Sequence, residues 1–177
     1  FVGTLAHNTI CIDNTNQSYQ AGPTMWLNHY KVNVLQSKKE EDIELVSAEH
    51  TGFKKMGCTH QRTVQFIKGK ESFLITDRIG VNNKAHNIIQ PWHLHPEVEI
   101  NKINDHQYLL KHKNSPRSVK ISLDSKLSFQ LVYGQLEPIL GWYSTSFLKK
   151  EPTTVIKGSL NTKKTQEINI YTTIEII

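Results

Sequence analysis

The sequence is short of the residues on which many familiar chemistries depend. It has two cysteines, Cys11 and Cys58, in 177 residues, so neither a disulfide-rich scaffold nor a four-cysteine zinc module can be built from it. Those two either pair or serve as small core residues. No Cys-x-x-Cys, Gly-x-Ser-x-Gly or His-Glu-x-x-His run occurs, which removes the signatures of thiol redox proteins, nucleophile-elbow hydrolases and zinc peptidases. No apolar run approaches the roughly 18 residues of a membrane span, and low-complexity tracts, internal repeats and linkers are absent. A basic helix, a glycine-rich phosphate loop and zinc-finger spacing are also missing, which argues against nucleic acid as a partner. The opening "FVGTLAHNTICID" has no initiator Met and no charged segment ahead of an apolar core, so it is expected to be neither a native start nor a signal peptide.

What is present is positive charge and histidine. Twenty-one basic against 16 acidic residues give a formal +5, with nine histidines besides, a balance that suits an acidic partner such as an anionic polysaccharide. The lysines are scattered in ones and twos, as on any solvated surface.

The dominant hydrophobic period is two. "QEINIYTTIEII" sets Ile168, Ile170, Ile174 and Ile176 against Glu167, Asn169, Thr173 and Glu175, the pattern of a half-buried antiparallel strand. "SVKISLDSKLSFQLVYG" alternates twice, first at Val119, Ile121 and Leu123, then, beyond a turn at Asp124 and Ser125, at Leu127, Phe129 and Leu131. "HQRTVQFIKGKESFLITDRIG" predicts a hairpin joined through Lys68, Gly69 and Lys70. "NTICID", "HYKVNVLQ" and "IELVSAEH" add strands, and "SKKEED" lacks a 3.6-residue apolar stripe, so it is expected as a charged loop. The chain is therefore expected to be all-β, a two-layer antiparallel β-sandwich of about ten to twelve short strands forming one domain over 1–177.

Candidate chemistry rests on the histidines. His93 and His95 in "WHLHPEVEI" share a face if that segment is a strand, the spacing that presents paired imidazoles to a metal, although Pro96 suggests the strand stops there. His50 and His60 flank a turn-like stretch holding Gly52 and Gly57. A third ligand is not assigned by spacing; Asp13, Glu49 and Asp77 are the nearest acidic candidates, each equally at home in a turn or an ion pair. Cys58 and His60 form a Cys–His pair in spacing alone. Trp26, Trp92, Trp142 and Tyr143 could stack on sugar rings, as in a non-catalytic carbohydrate-binding module, or pack in the core.

The runs "GTLAHNTICID", "GP…W", "AEHTGFKKMG", "HQRTVQFIKG", "FLITDRI" and "WHLHPEVEI" follow one another in an order that resembles the C-terminal β-sandwich of the heparinase II/III family of polysaccharide lyases, from Gly3 to about Pro152. The resemblance implies an N-terminal α/α toroid as a further part of the parent chain, a substrate cleft between toroid and sandwich, and β-elimination on a uronic-acid-containing acidic polysaccharide. It implies a periplasmic or secreted enzyme whose sandwich is inactive, or nearly so, without the toroid. Carried over by residue, His7 is the cleft-facing histidine and Asn8 its orienter, with His60, Arg62, His93 and His95 as substrate-binding residues. Some members hold a structural zinc with two histidines and an aspartate, which would implicate His7 and His50. "GPTMWLNHY" lacks the expected aspartate, Thr51 stands where an acidic residue is usual, and Phe53 replaces a tyrosine.

Overall fold

The period of two carries through to three dimensions. In the strand Gln166–Ile176, Ile168, Ile170 and Thr172 are buried while Tyr171 between them is exposed, so alternate side chains fall on opposite faces. The structure, a computed structural model, describes residues 2–177. Twelve strands form two antiparallel sheets packed as a sandwich. The larger has eight strands in the order Val32–Lys39, Ile43–His50, Cys58–Ile67, Ser72–Val81, Gln166–Ile176, Ser118–Leu123, Gln107–His112 and Val98–Asn104. The smaller has four, in the order Cys11–Ile12, Asn87–His93, Thr154–Asn161 and Ser128–Tyr133.

The predicted hairpin pairs Cys58–Ile67 with Ser72–Val81 along their full length, reversing through a 3₁₀ turn at Lys68–Lys70. The charged stretch is partly strand: Lys38 and Lys39 extend Val32–Lys39 opposite Leu45 and Glu44, and the chain reverses only after that. Asp124 marks a crossing between the sheets. Its carboxylate accepts the Lys126 N–H at 3.0 Å and the Tyr171 N–H at 3.0 Å, which sends Ser118–Leu123 into one sheet and Ser128–Tyr133 into the other. Leu127 is buried as expected, but Leu131 is exposed and Val132 is buried in its stead. Val132 packs with Val155 and Leu140, whereas the next residue along, Ile156, faces the main core; the smaller sheet thus has a satellite cluster on its far side.

The main core lies between the layers. Ile10, Ile12 and Ile88 meet Ile79, Val81, Ile168 and Ile170 at one end, and Trp92 and Ile156 meet Ile75, Ile121 and Leu123 at the other. Cys11 and Cys58 are both buried and both free, and burial, followed by the charge of Asp13, pushes the Cys11 thiol up to about 11.

Eight strands are wider than four. Directly opposed residues share a face, and the register runs Val34–Ala48–Arg62–Asp77 and Val46–Val64–Ile75, so the side of the large sheet that faces the core continues past the smaller sheet. There it carries Val32, Val34, Val46 and Val64, which are 60%, 66%, 50% and 36% exposed. Val32–Lys39 is also the outer strand of that sheet, and all its residues are exposed. Three two-stranded ribbons complete the fold, Tyr19–Gln20 with Trp26–Leu27, Gln135–Leu136 with Ile139–Leu140, and Trp142–Ser146 with Lys149–Pro152.

Truncating a wholly enclosed core side chain should expose this division of labour. Ile79→Ala or Ile170→Ala is expected to cost about 2–5 kcal/mol in urea unfolding, whereas Val34→Ala on the uncovered face should change stability by about 0.5 kcal/mol or less.

Candidate functional site

Four side chains on adjacent strands of the large sheet form a continuous polar chain. His50 ends one strand, His60 and Arg62 lie on the next, and Asp77 lies opposite Arg62 on the third. The Gly52 N–H donates to His50 Nδ1 at 3.1 Å, so His50 carries its ring proton on Nε2 and donates it to His60 Nδ1 at 3.0 Å. His60 in turn donates from Nε2 to Asp77 Oδ1 at 2.7 Å. Asp77 is fully buried and His60 nearly so. Arg62 closes a two-toothed pair with the same carboxylate, Nε to Oδ1 at 2.7 Å and an η nitrogen to Oδ2 at 2.8 Å. Burial alone would raise the Asp77 carboxyl, but the hydrogen bonds from His60 and Arg62 and the guanidinium charge outweigh it and hold the group at about 2. Burial, and then the neighbouring His60, lowers His50 to about 4, so it is neutral near pH 7.

Arg62 also ties the N-terminal loop to this centre. Its other η nitrogen donates to the Asn8 carbonyl, and its guanidinium lies 5.8 Å from the centre of the Trp92 ring. Asn8 Oδ1 accepts the His93 N–H at 2.7 Å, and His93 Nε2 donates to the Leu5 carbonyl at 3.0 Å. The loop is therefore pinned at Leu5 and at Asn8, on either side of His7.

His7 itself is exposed and lines a cavity with Trp26, His29 and Tyr30, and among the described residues no hydrogen bond holds its ring. The strand expected at "NTICID" begins only at Cys11, and a 3₁₀ turn at Thr4–Ala6 precedes the His7-Asn8 pair. Asn16 Oδ1 accepting the Thr4 N–H at 2.7 Å, and Thr4 Oγ1 accepting the Gln17 N–H at 2.9 Å, give that turn partners that a strand would have lacked. A second cavity shares His29, Tyr30, Gln17 and Ser18 with the first and is bordered by Lys54 and Lys55, which bring positive charge to its edge.

Several expected pairings are not formed. His60 is enclosed and Arg62 is committed to Asp77, so they serve as supports for the rim and are not arranged as free sugar ligands. The strand ends at His93, and His95 packs against His112 and Tyr143 while His93 turns to Leu5, so the two rings do not converge. His50 has Nδ1 accepting from Gly52 and Nε2 bonded to His60; zinc held by His7 and His50 would require that chain to break, and the residues as arranged do not fit the ion. Trp92 is buried under Arg62 and cannot meet a sugar, whereas Trp26 borders the His7 cavity. Of the acidic candidates, Asp13 pairs with the buried His86 at 2.8 Å and Glu49 accepts from Asn33 at 3.2 Å. Thr51 clamps Lys31 in both directions, and Phe53 is wholly enclosed, where a tyrosine hydroxyl would need a buried partner. Sequence reading missed Gln90, whose Nε2 donates to Asp77 Oδ2 at 2.9 Å from the smaller sheet. Its signal was a lone amide in the apolar run "IIQPW".

The fold is a two-layer antiparallel β-sandwich with a polar network of His50, His60, Arg62 and Asp77 on its larger sheet. The pattern of the heparinase II/III-like C-terminal domain matches residues 1–171, and the chain belongs to that family. Among solved structures it is similar to the heparan sulfate lyase HepC of Pedobacter heparinus, with a TM-score of 0.75 at 16% identity over 98% of this chain and 24% of that one. It is also similar to a heparinase III with methylated lysines, TM-score 0.73 at 21% identity over 99% and 24% of the two chains, and to a further heparinase III, TM-score 0.74 at 17% identity over 99% and 24%. None of the curated proteins compared with it matches. The chain thus spans about a quarter of the length of the solved structures it resembles.

Asp77→Ala should cost about 3–5 kcal/mol in urea unfolding, because it leaves a guanidinium with no buried counter-charge. His50 predicts a pH dependence. Its folded pKa of about 4 lies below the ordinary 6.5, so the unfolded chain binds the proton first and stability falls as pH drops from 6.5 toward 4. His50→Gln should flatten that slope in urea melts taken across the window, leaving the part due to His93, which burial also lowers.

Proposed function

We propose that this chain is the C-terminal wall of a polysaccharide lyase that cleaves a uronic-acid-containing acidic polysaccharide by β-elimination, and that a toroid elsewhere in the parent chain forms the other wall. The carrying observation is the uncovered part of the core-facing sheet: Val32, Val34, Val46 and Val64 stand open to solvent beside His50, on a face that the smaller sheet protects elsewhere. A second domain laid there would bury the valines and roof the cavity of His7, Trp26, His29 and Tyr30. Family membership and the quarter-length match to heparinase structures support the same reading. Action on a polysaccharide of that kind favours a parent protein in the periplasm or outside the cell.

In β-elimination a base takes the proton α to the uronate carboxylate, positive or hydrogen-bonding groups stabilise the enediolate that forms, and an acid protonates the departing glycosidic oxygen. His7, exposed and unheld, is the sandwich group free to take that proton or to meet the developing charge. Asn8 acts mainly as a clamp, since its carbonyl and its Oδ1 are engaged, and its amide nitrogen is left for a ligand. Lys54 and Lys55 draw an anionic chain toward the cavity. The test is unsaturated-uronate absorbance on heparan sulfate, hyaluronan and alginate. The parent protein should turn over at least one of them, this chain alone none, and His7→Ala in the parent should lower kcat about 100-fold or more. Turnover by this chain alone would overturn the two-wall arrangement, and an unchanged kcat would remove His7 from the chemistry.

Trp26 beside the same cavity favours one other reading, a sugar-binding module without catalysis. It predicts glycan affinity of this chain that falls with Trp26→Ala, in a parent that turns over no uronate polymer.

A further inference from the structure

His95, Glu97 and His112 lie outside both the Asp77 chain and the His7 cavity, and each offers a ligand atom within 4.8 Å of the other two. We propose that these three residues form a site for a divalent transition ion of the zinc class.

The argument begins with the strands. Glu97 immediately precedes the edge strand Val98–Asn104, and His112 ends its neighbour Gln107–His112, opposite Val98. The Val98 N–H donates to the His95 carbonyl at 2.9 Å, and the Lys113 N–H donates to the Glu97 carbonyl at 3.2 Å, so main-chain bonds fix the three positions. The side chains are then brought together on one spot. The His95 and His112 ring centres are 5.4 Å apart, Tyr143 rests its ring 5.0 Å from that of His95, and His112 Nε2 lies 3.5 Å from Glu97 Oε2. Two donors 2.0–2.1 Å from a tetrahedral zinc are roughly 3.3 Å apart, so the His112–Glu97 separation is already near what the ion requires. The exposed His95 needs a modest rotation to join them.

The donor set selects the ion. Two imidazoles and one carboxylate suit zinc and its neighbours in the first transition row, whereas magnesium and calcium call for oxygen ligands. Three protein ligands leave the fourth tetrahedral position to water. Lys113 and Glu151, which border the cavity beside the site, offset one another in charge, and Glu97 supplies the negative charge at the ion. The Glu97 N–H donates to His95 Nδ1 at 3.2 Å and the Asn114 N–H to His112 Nδ1 at 3.1 Å. Each neutral ring therefore holds its proton on Nε2; when the ion binds at Nε2 that proton moves to Nδ1, and the two long Nδ1 contacts are given up.

Zn²⁺ titrated calorimetrically into this chain, with Co²⁺ absorption as a report of coordination, decides the matter. One ion is expected to bind, with affinity reduced tenfold or more in His112→Ala and in Glu97→Gln, unchanged in His7→Ala, and not displaced by millimolar Mg²⁺. His95 and Glu97 are exposed and His112 is half-buried at a strand end, outside the core clusters, so the variants should keep the circular dichroism of the parent. Equal affinity and stoichiometry in the folded His95→Ala, His112→Ala double variant would overturn the proposal, as would loss of the ion on His7→Ala with the double variant unaffected.

Discussion

A carboxylate with no access to solvent sits at the centre of this fold, and almost everything polar near it is arranged to keep it ionised. Asp77 cannot stand alone there, because an unpaired buried charge costs several kcal/mol. Its three partners come from two directions: His60 and Arg62 from the adjacent strand, and Gln90 from the opposite sheet. Gln90 is thus a hydrogen-bonded tie between layers otherwise joined by apolar packing, which has no directional preference. The same carboxylate fixes the tautomer of His60, through it that of His50, and through Arg62 the path of the loop that carries His7. One buried charge therefore reaches both the half-buried His50 and, through the loop, the exposed His7.

Much of the architecture was legible because a half-buried strand writes its burial into alternate residues. The Ile168 to Ile176 series and the Lys68–Lys70 hairpin rest on local patterns, and they appear where the sequence places them. The order of short motifs was enough to point to the family. The site was less legible, since its geometry comes from residues far apart in sequence: Arg62 meets Asn8, Asn8 meets His93, and Gln90 meets Asp77. Periodicity says nothing of such pairings. It also starts the first strand of "NTICID" too early: Asn8, Thr9 and Ile10 lie ahead of the strand, which covers only Cys11–Ile12. Leu131 and Val132 exchanged roles because a satellite cluster covers the far side of the smaller sheet and both faces there are partly apolar.

The histidines show how little residue type alone decides. His60 is an enclosed link, His50 a half-buried one held neutral, His7 an open ring over a cavity, and the exposed His95 stands with the half-buried His112 beside a carboxylate. Each environment follows from strand position. His50 and His60 lie directly opposite one another on neighbouring strands and so join the buried network, while His7 in the loop and His95 beyond a strand end are left for outside partners.

The outer strand Val32–Lys39 has a consequence for the behaviour of the domain on its own. A sheet edge displays main-chain donors and acceptors that another strand can pair with, and this one also offers Val32 and Val34 to an approaching copy. At the far end Lys38 and Lys39 place like charges along any edge-to-edge stack, and the register shift between Val34 and Gln36 interrupts a flat ladder. The two halves of one strand are therefore opposed: the valine half invites self-association and the lysine half resists it. Colloidal stability of the isolated domain thus hangs on eight residues that contribute little to its core.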